Sequence, residues 1–278
     1  MPSHTITLRN GIEMPTLGQG TWFMGENFFE KKSEIAALQR GIDIGLTLVD
    51  TAEMYGNGGA EKVVGEALVG RRDKVFLVSK VLPNHASLRG TVKACEDSLK
   101  RMKTDYLDMY LLHWRGGYSL GETFEALEKL REAGKIRAWG VSNFDTDDME
   151  EAEEYDPEGN CCINQVLYSL ISRGIEWDLM PWQQKRNIPV MAYSPLYQTR
   201  VLRSDGLKKL AKELGITAAQ LALAWILHKG AIPIPKSSNA SRVEENRKAW
   251  DIELSQDTLD ALDKIFPAPT HKMPLDIL

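Results

Sequence analysis

The sequence predicts an α/β protein: a closed (β/α)8 barrel of the TIM type, preceded by an N-terminal β-hairpin and extended by extra C-terminal helices. Three observations predict it. Eight short apolar runs alternate with stretches of helical periodicity, and strands that alternate with helices pair in parallel through helical crossovers. The chain has 278 residues, long for an ordinary domain but usual for a barrel, which needs about 250. No linker or break in composition divides it, so residues 1–278 are read as a single domain.

The elements follow in order. Residues 5–15 alternate polar and apolar around Asn10-Gly11, a pair suited to the positive φ angles of a type I′ hairpin turn. This hairpin precedes the main pattern and is placed to cap one end of the fold. The predicted barrel strands are 16–22, 46–52, 74–80, 106–113, 136–142, 162–168, 188–194 and 231–236. Helices are predicted near 33–44, 60–70, 87–102, 119–133, 146–155, 178–186 and 217–229. Further helices fall near 204–214, 241–249 and 256–264. Ser119 with Glu122, and Thr217 with Gln220, have the spacing of capping boxes. Gly45, Gly134 and Gly230 stand where left-handed helix ends are expected. Pro233 and Pro235 break the rules for the eighth strand, because proline cannot donate to a ladder and a closed barrel has no edge.

Composition narrows the function. The net charge is -5 with both signs spread along the chain, which speaks against nucleic-acid binding, since that needs a basic face. Cys95, Cys161 and Cys162 are odd in number and lack metal-type spacing, as expected of a reduced, cytoplasmic protein. Cys95 falls on the apolar stripe Leu88, Val92, Cys95, Leu99, Met102 and is read as a core thiol. The start, Met-Pro-Ser-His, carries no charged-then-apolar leader pattern. The longest nearly apolar run, Ala218 to Leu227, is too short to span a bilayer, so no membrane partner is expected. No heptad or apolar stripe demands a dimer, and a monomer is the default. The five histidines are scattered, and no ligand set has metal spacing.

The chemistry gathers at the strand ends. Leu48-Val49 stops at Asp50, and Tyr55 follows five positions later, ahead of Gly56-Asn57-Gly58-Gly59. A carboxylate and a phenol are thus set close together at one strand end. A free phenol, with a pKa of about 10, is too weak an acid for work at neutral pH. The third strand ends at Ser79-Lys80 and the fourth at His113-Trp114. The fifth ends at Ser142-Asn143, the sixth contains Asn164-Gln165, the seventh ends at Tyr193-Ser194, and the eighth at Lys236-Ser237. In a barrel these ends face one mouth, where catalytic groups are found. An ammonium at Lys80, paired with Asp50, is expected to lower the pKa of Tyr55. So tuned, the phenol could protonate a developing alkoxide, while His113 orients a carbonyl oxygen. Ser142, Asn143 and Gln165 offer partners for a carboxamide, and Tyr193 a face for stacking. Lys236, Ser237, Ser238, Asn239 and Arg242 form a basic, hydroxyl-rich turn before a helix, suited to a phosphate. The Gly-rich fingerprint of a Rossmann fold is absent, because Phe23 stands where the third glycine belongs. No Gly-x-Ser-x-Gly elbow is present either.

Taken in order, these stretches resemble the aldo-keto reductase superfamily, and in particular its bacterial members that reduce small aldehydes. The resemblance rests on Asp50-Thr-Ala-Glu-Met-Tyr55, Val78-Ser-Lys80, Leu111-Leu-His-Trp114, Gly140-Val-Ser-Asn143, Tyr193-Ser-Pro-Leu196 and Ile234-Pro-Lys-Ser237. It runs from the hairpin through Arg242-Val-Glu-Glu-Asn246. It implies a tetrad, with Tyr55 as general acid, Lys80 and Asp50 as its tuning pair, and His113 orienting the carbonyl. It also implies NADPH extended across the barrel mouth, favoured over NADH. The nicotinamide would stack on Tyr193 and meet Ser142, Asn143 and Gln165, with Asp50, Ser194 and Leu196 close by. Lys236, Ser237 and Arg242 match the positions that take the 2′-phosphate, joined in the same turn by Ser238 and Asn239, with Glu245 and Asn246 near the adenine. Gly20 and Thr21 match the first strand end, where cofactor and substrate meet. Trp22 and Trp114 are candidate substrate walls beside Tyr55 and His113. Arg115 stands where many members have proline. A short loop after the fourth strand and a short tail from about Phe266 imply an open site for small aldehydes, 2-oxoaldehydes such as methylglyoxal, or keto sugars.

Two other readings compete. A Schiff-base lyase would also use a strand-end lysine, but the Asp50 partner keeps Lys80 protonated. A cofactor-binding sensor or regulatory subunit without turnover is the alternative from outside catalysis.

Overall fold

In the computed structural model, which describes residues 4–278, the hairpin comes first, as β1 (Thr5–Thr7) and β2 (Glu13–Pro15). The barrel strands follow as β3 (Gly18–Gly20), β4 (Leu48–Asp50), β5 (Phe76–Val81), β6 (Leu107–Leu112), β7 (Ile136–Ser142), β8 (Cys161–Leu167), β9 (Val190–Tyr193) and β10 (Ile232–Pro233). These eight form one sheet in sequence order, every neighbouring pair parallel. Helices α1 (Lys31–Asp43), α2 (Gly59–Ala67), α3 (Leu88–Met102), α4 (Leu120–Glu132), α5 (Thr146–Tyr155) and α6 (Leu179–Gln184) fill the crossovers up to β9. Then come α7 (Asp205–Glu213), the extra helix expected before the last crossover, and α8 (Ala218–His228). After β10 lie α9 (Ala240–Arg247) and α10 (Gln256–Ile265). Met1 to Ser3, most of the stretch read above for a leader pattern, lie outside the described residues. No single helix among the described residues is long and apolar enough to cross a membrane.

The hairpin closes the bottom of the barrel. Leu8 and Met14 are buried with Leu48, Phe76, Val78, Met109, Leu111, Ile163, Met191 and Ile232, which fill the barrel interior. Its turn differs from the expected type I′. Only Gly11 takes a positive φ, +84°. The Leu8 N–H donates to Ile12 O and the Gly11 N–H to Leu8 O, which makes Arg9–Gly11 a three-residue loop, a common alternative when a single left-handed residue ends a type I turn. Asn10 turns its side chain to the backbone instead, and Oδ1 accepts from the Ile12 N–H at 3.2 Å.

The two prolines of the last strand find their place at the seam. β10 is only two residues long, shorter than the expected 231–236. The Ile234 N–H donates to Ala192 O on the β9 side. N–H groups alternate in direction along a strand, so Pro233 and Pro235 have their missing donors on the other side, toward β3. There the bond is made with proline as acceptor, from Gly20 N–H to Pro235 O at 3.2 Å, and a bridge from Gly20 to Lys236 closes the barrel. The seam is tight enough to require glycine. A Cβ on Gly20 would stand 2.7 Å from Ile234 O.

Most helix ends follow the sequence signals. Thr217 and Gln220 form a complete capping box on α8, and Gly45, Gly134 and Gly230 all have positive φ. Ser119 does not cap α4 with its side chain. Its expected partner is used elsewhere: Glu122 Oε1 accepts the Leu88 N–H at 2.9 Å and ties α4 to the start of α3. A box not expected, Asp145 with Asp148, opens α5. Cys95 is buried in the outer core, and burial pushes its thiol up to about 12.

Candidate active site

Side-chain alternation delivers the site. In β5, Phe76 and Val78 point into the barrel while Leu77 and Val81 face the helices, so Lys80 continues the inward row at its top. The same count brings Asp50 above Leu48 in β4, and His113 above Met109 and Leu111 just past β6. Ser142 follows Ala138 in β7, Gln165 follows Ile163 in β8, and Tyr193 follows Met191 in β9. The polar strand ends therefore form the upper layer of an otherwise apolar interior, at the mouth where the strands end.

Hydrogen bonds join this layer. Lys80 Nζ lies 2.8 Å from both Asp50 oxygens and 2.8 Å from Thr51 O, with both side chains buried. A buried charge this isolated needs such pairing, because removing one partner strands the other away from water. Gln165 Nε2 donates to Asp50 Oδ1 at 2.8 Å, so its amide serves the carboxylate in this arrangement. Ser142 Oγ donates to Gln165 O at 2.8 Å. Asn143, with φ +56°, donates through Nδ2 to His113 O at 3.1 Å and accepts from the Tyr193 hydroxyl at 2.9 Å. Thr21 Oγ1 donates to Asp50 O at 2.9 Å and fixes the first strand end to the second.

Tyr55 begins a 3-10 turn, Tyr55–Gly58, directly after this layer. Lys80 Nζ lies 5.1 Å from the centre of its ring. The His113 ring stands 5.8 Å away at 75°. The expected electrostatics reverse at Tyr55. Burial pushes the Tyr55 phenol well above its ordinary value, and the negative charge of Asp50 and then Tyr193 add to the rise. The shift is therefore upward, contrary to the lowering expected from sequence. The Lys80 ammonium is pulled down by burial and supported by Asp50 and more weakly by Glu61. His113 is pushed well below its usual range by burial and by the Lys80 charge. It is therefore neutral, with Nδ1 buried and without a partner among the described residues.

These residues wall a cavity of about 540 Å³. Trp22, Tyr55, His113 and Trp114, the four residues expected to meet substrate, all line it, with Ser142, Asn143, Gln165 and Tyr193. Beyond it lies the basic turn. Lys236 and Arg242 are exposed, Ser237 and Ser238 half-buried. Asn239 has a different task from the one expected: its Oδ1 caps α9 by accepting from Ser241 and Arg242 N–H groups. Glu245 Oε1 accepts from Thr217 Oγ1 at 2.6 Å, and Asn246 is buried. Ser194 takes a positive φ of +44°, and Leu196 packs on the outer core.

The family model for the aldo/keto reductase family matches residues 16–266 of the chain. The chain belongs to the aldo/keto reductase family. Among curated relatives, it is 51% identical to methylglyoxal reductase YeaE of Escherichia coli, with 100% of each chain covered. It is 37% identical to glyoxal reductase of Bacillus subtilis, over 94% of this chain and 92% of that one. Among solved structures, an aldo-keto reductase from Klebsiella pneumoniae in complex with NADPH superposes with a TM-score of 0.97 at 50% identity, covering 100% of both chains. A further Klebsiella pneumoniae structure, in complex with NADP and acetate, gives 0.96 at 50% identity, over 99% of this chain and 100% of that one.

This aldo/keto reductase also uses residues that sequence reasoning passed over. Met54, Asp148, Ile277 and Leu278 line the cavity, as does Arg115. The short tail therefore reaches the mouth, where sequence length had suggested an open site. Ser172 Oγ holds it by donating to Asp276 Oδ2 at 2.7 Å, and Lys272 pairs with Asp178 at 3.2 Å. Arg115 folds its own loop, donating to Gly116 O and Tyr118 O and gripping Glu151 at 2.8 Å. Of these, only Asp148 had a readable signal, the acid three residues after Asp145 at a helix start.

Proposed function

We infer that this aldo/keto reductase is an NADP-dependent oxidoreductase that reduces small carbonyl compounds to alcohols, with 2-oxoaldehydes such as methylglyoxal as the leading substrate class. The observation that carries the reading is the buried Lys80–Asp50 pair beside Tyr55 and a neutral His113, all at the wall of one cavity. Its aromatic walls, Trp22 and Trp114, suit a small, uncharged carbonyl compound.

The residues present fit a reduced nicotinamide. Tyr193 offers a half-buried ring at the cavity wall, next to the amides of Asn143 and Gln165 and the Ser142 hydroxyl. Exposed Lys236 and Arg242 stand at the start of α9 with Ser237 and Ser238, a donor set matched to a phosphate. When bound, this cofactor supplies a hydride to the carbonyl carbon. The chain does the rest. Neutral His113 donates a hydrogen bond to the carbonyl oxygen and sets its direction. Tyr55, kept protonated by its burial, gives its phenolic proton to that oxygen as negative charge grows there. Lys80, held charged by Asp50, steadies the phenolate left behind. General acid catalysis of this kind contributes on the order of 10²–10⁴-fold.

The test is NADPH oxidation followed at 340 nm with methylglyoxal, glyoxal and keto sugars, and again with NADH. Turnover with methylglyoxal and a preference for NADPH are expected; no turnover with any carbonyl compound would favour a regulatory subunit. Arg242→Ala should raise KM for NADPH on the order of 10- to 100-fold, as a charge-assisted hydrogen bond of about 1.5–3 kcal/mol is lost, and leave KM for NADH nearly unchanged. Equal losses with both cofactors would remove Arg242 from phosphate recognition. We also read the chain as one domain that acts as a cytoplasmic monomer. Its three cysteines, all buried and unpaired, support a reducing compartment.

A further inference from the structure

Behind the sheet, on the side away from the cavity, a buried carboxylate links the strand of Lys80 to the turn of Tyr55. Glu61, in the first turn of α2, is fully buried. Its Oε1 accepts from Ser79 Oγ at 2.7 Å, and Ser79 is the residue before Lys80. Its Oε2 accepts from Arg101 Nε at 2.5 Å. Arg101, on α3, also donates to Ser98 Oγ at 3.1 Å. The stem of Arg101 lies against the Tyr55 turn, since a Cβ on Gly58 would stand 2.6 Å from Arg101 Cδ.

That turn is held in an uncommon conformation. Gly56, Asn57 and Gly58 all take left-handed φ, at 55°, 51° and 82°. Glycine takes this region freely, and asparagine is among the few other residues that do, so neighbouring contacts decide how firmly the turn is held. One side of the turn rests on the Met24–Gly25 backbone, where a Cβ on Gly56 would stand 3.1 Å from Met24 O. Arg101 supplies the other side. No part of this linkage lines the cavity.

We propose that Ser79, Glu61 and Arg101 form a positioning linkage that sets the Tyr55 hydroxyl relative to Lys80 from outside the barrel, and so governs proton delivery without touching substrate or cofactor. The inference rests on the carbonyl-reductase reading above. Support for the Lys80 charge from Glu61 is a second route by which the same carboxylate serves the site. Loosening the linkage lets the turn relax, and a displacement of about 1 Å at a reacting group can lower the rate by about 10²-fold.

The test is a double-mutant cycle between Arg101→Met and Tyr55→Phe, with Arg101→Lys as the conservative control. Arg101→Met should bind NADPH as the parent does, by fluorescence titration. Its kcat for methylglyoxal should fall by roughly 10- to 100-fold, KM should change little, and a solvent deuterium isotope effect on kcat should appear or grow. Arg101→Lys should regain much of the rate. In the Tyr55→Phe background the second substitution should have almost no further effect, because both act on one proton transfer. An equal loss in both backgrounds, or an unchanged isotope effect, overturns the proposal. Should Arg101→Met fail to fold, Ser79→Ala cuts the linkage at its other end without removing a charge, and the same cycle applies. A wild-type protein with no turnover sinks the reductase reading itself; an active wild type with an additive cycle sinks only the linkage.

Discussion

Tyr55→Phe is expected to lower kcat for methylglyoxal reduction by about 10²–10⁴-fold while leaving NADPH affinity close to that of the parent. The substitution removes one oxygen and keeps the ring that packs at 5.8 Å from His113, so the fold and the cavity wall persist. Full activity in this variant would exclude the phenol as proton donor. The same burial that lifts the phenol well above its ordinary value keeps it protonated through neutral and alkaline pH. Reduction by the wild type should therefore show no loss from Tyr55 ionisation near neutrality. His113, pushed well below its usual range, stays neutral there too and should give no limb between pH 6 and 7. The reverse reaction needs the deprotonated phenol and should be held back over the same range, with oxidation gaining as pH rises.

Lys80→Met should depress turnover by on the order of 10²–10³-fold, the effect of removing one preorganised charge or donor from a reacting centre. It also leaves Asp50 buried without its partner, which destabilises by about 3–5 kcal/mol. The two effects separate in the double variant Asp50→Asn with Lys80→Met. Replacing both charges by neutral groups of similar size should restore most of the melting temperature, because a buried ion pair adds little net stability over such a replacement. The rate should stay low. Recovery of activity along with stability would mean that Lys80 serves the fold and not the chemistry.

Much of this architecture was legible in the sequence, for a physical reason. Strand alternation has a period of two, so once Phe76 and Val78 are known to be core, the inward direction of Lys80 follows. Six strands repeat that logic, and it brings Asp50, Lys80 and His113 to one layer, with Tyr55 added by the turn that follows. What escaped was set by contacts distant in sequence. Glu122 was drawn from its cap to the Leu88 N–H, 34 positions away. The Asn10-Gly11 turn satisfied one left-handed residue where two were expected. The short eighth strand became intelligible only once Gly20 N–H was seen to donate to Pro235 O. The direction of the Tyr55 shift was missed because pairing with a lysine can be read from residue types, whereas the depth of burial that opposes it cannot. The tail reached the cavity through contacts distant in sequence, Ser172 to Asp276 among them, that leave no local pattern.

The proline-bearing closure between β10 and β3 has a mechanical consequence. Pro233 and Pro235 bring no donors to that junction, so the cylinder is fastened more loosely along this line than along the others. The line runs directly beneath residues 236–239, which lead into α9. A dinucleotide lying across the rim would rivet the two margins together. Occupancy would then add a fastening along this line, and the melting temperature should rise with NADPH concentration.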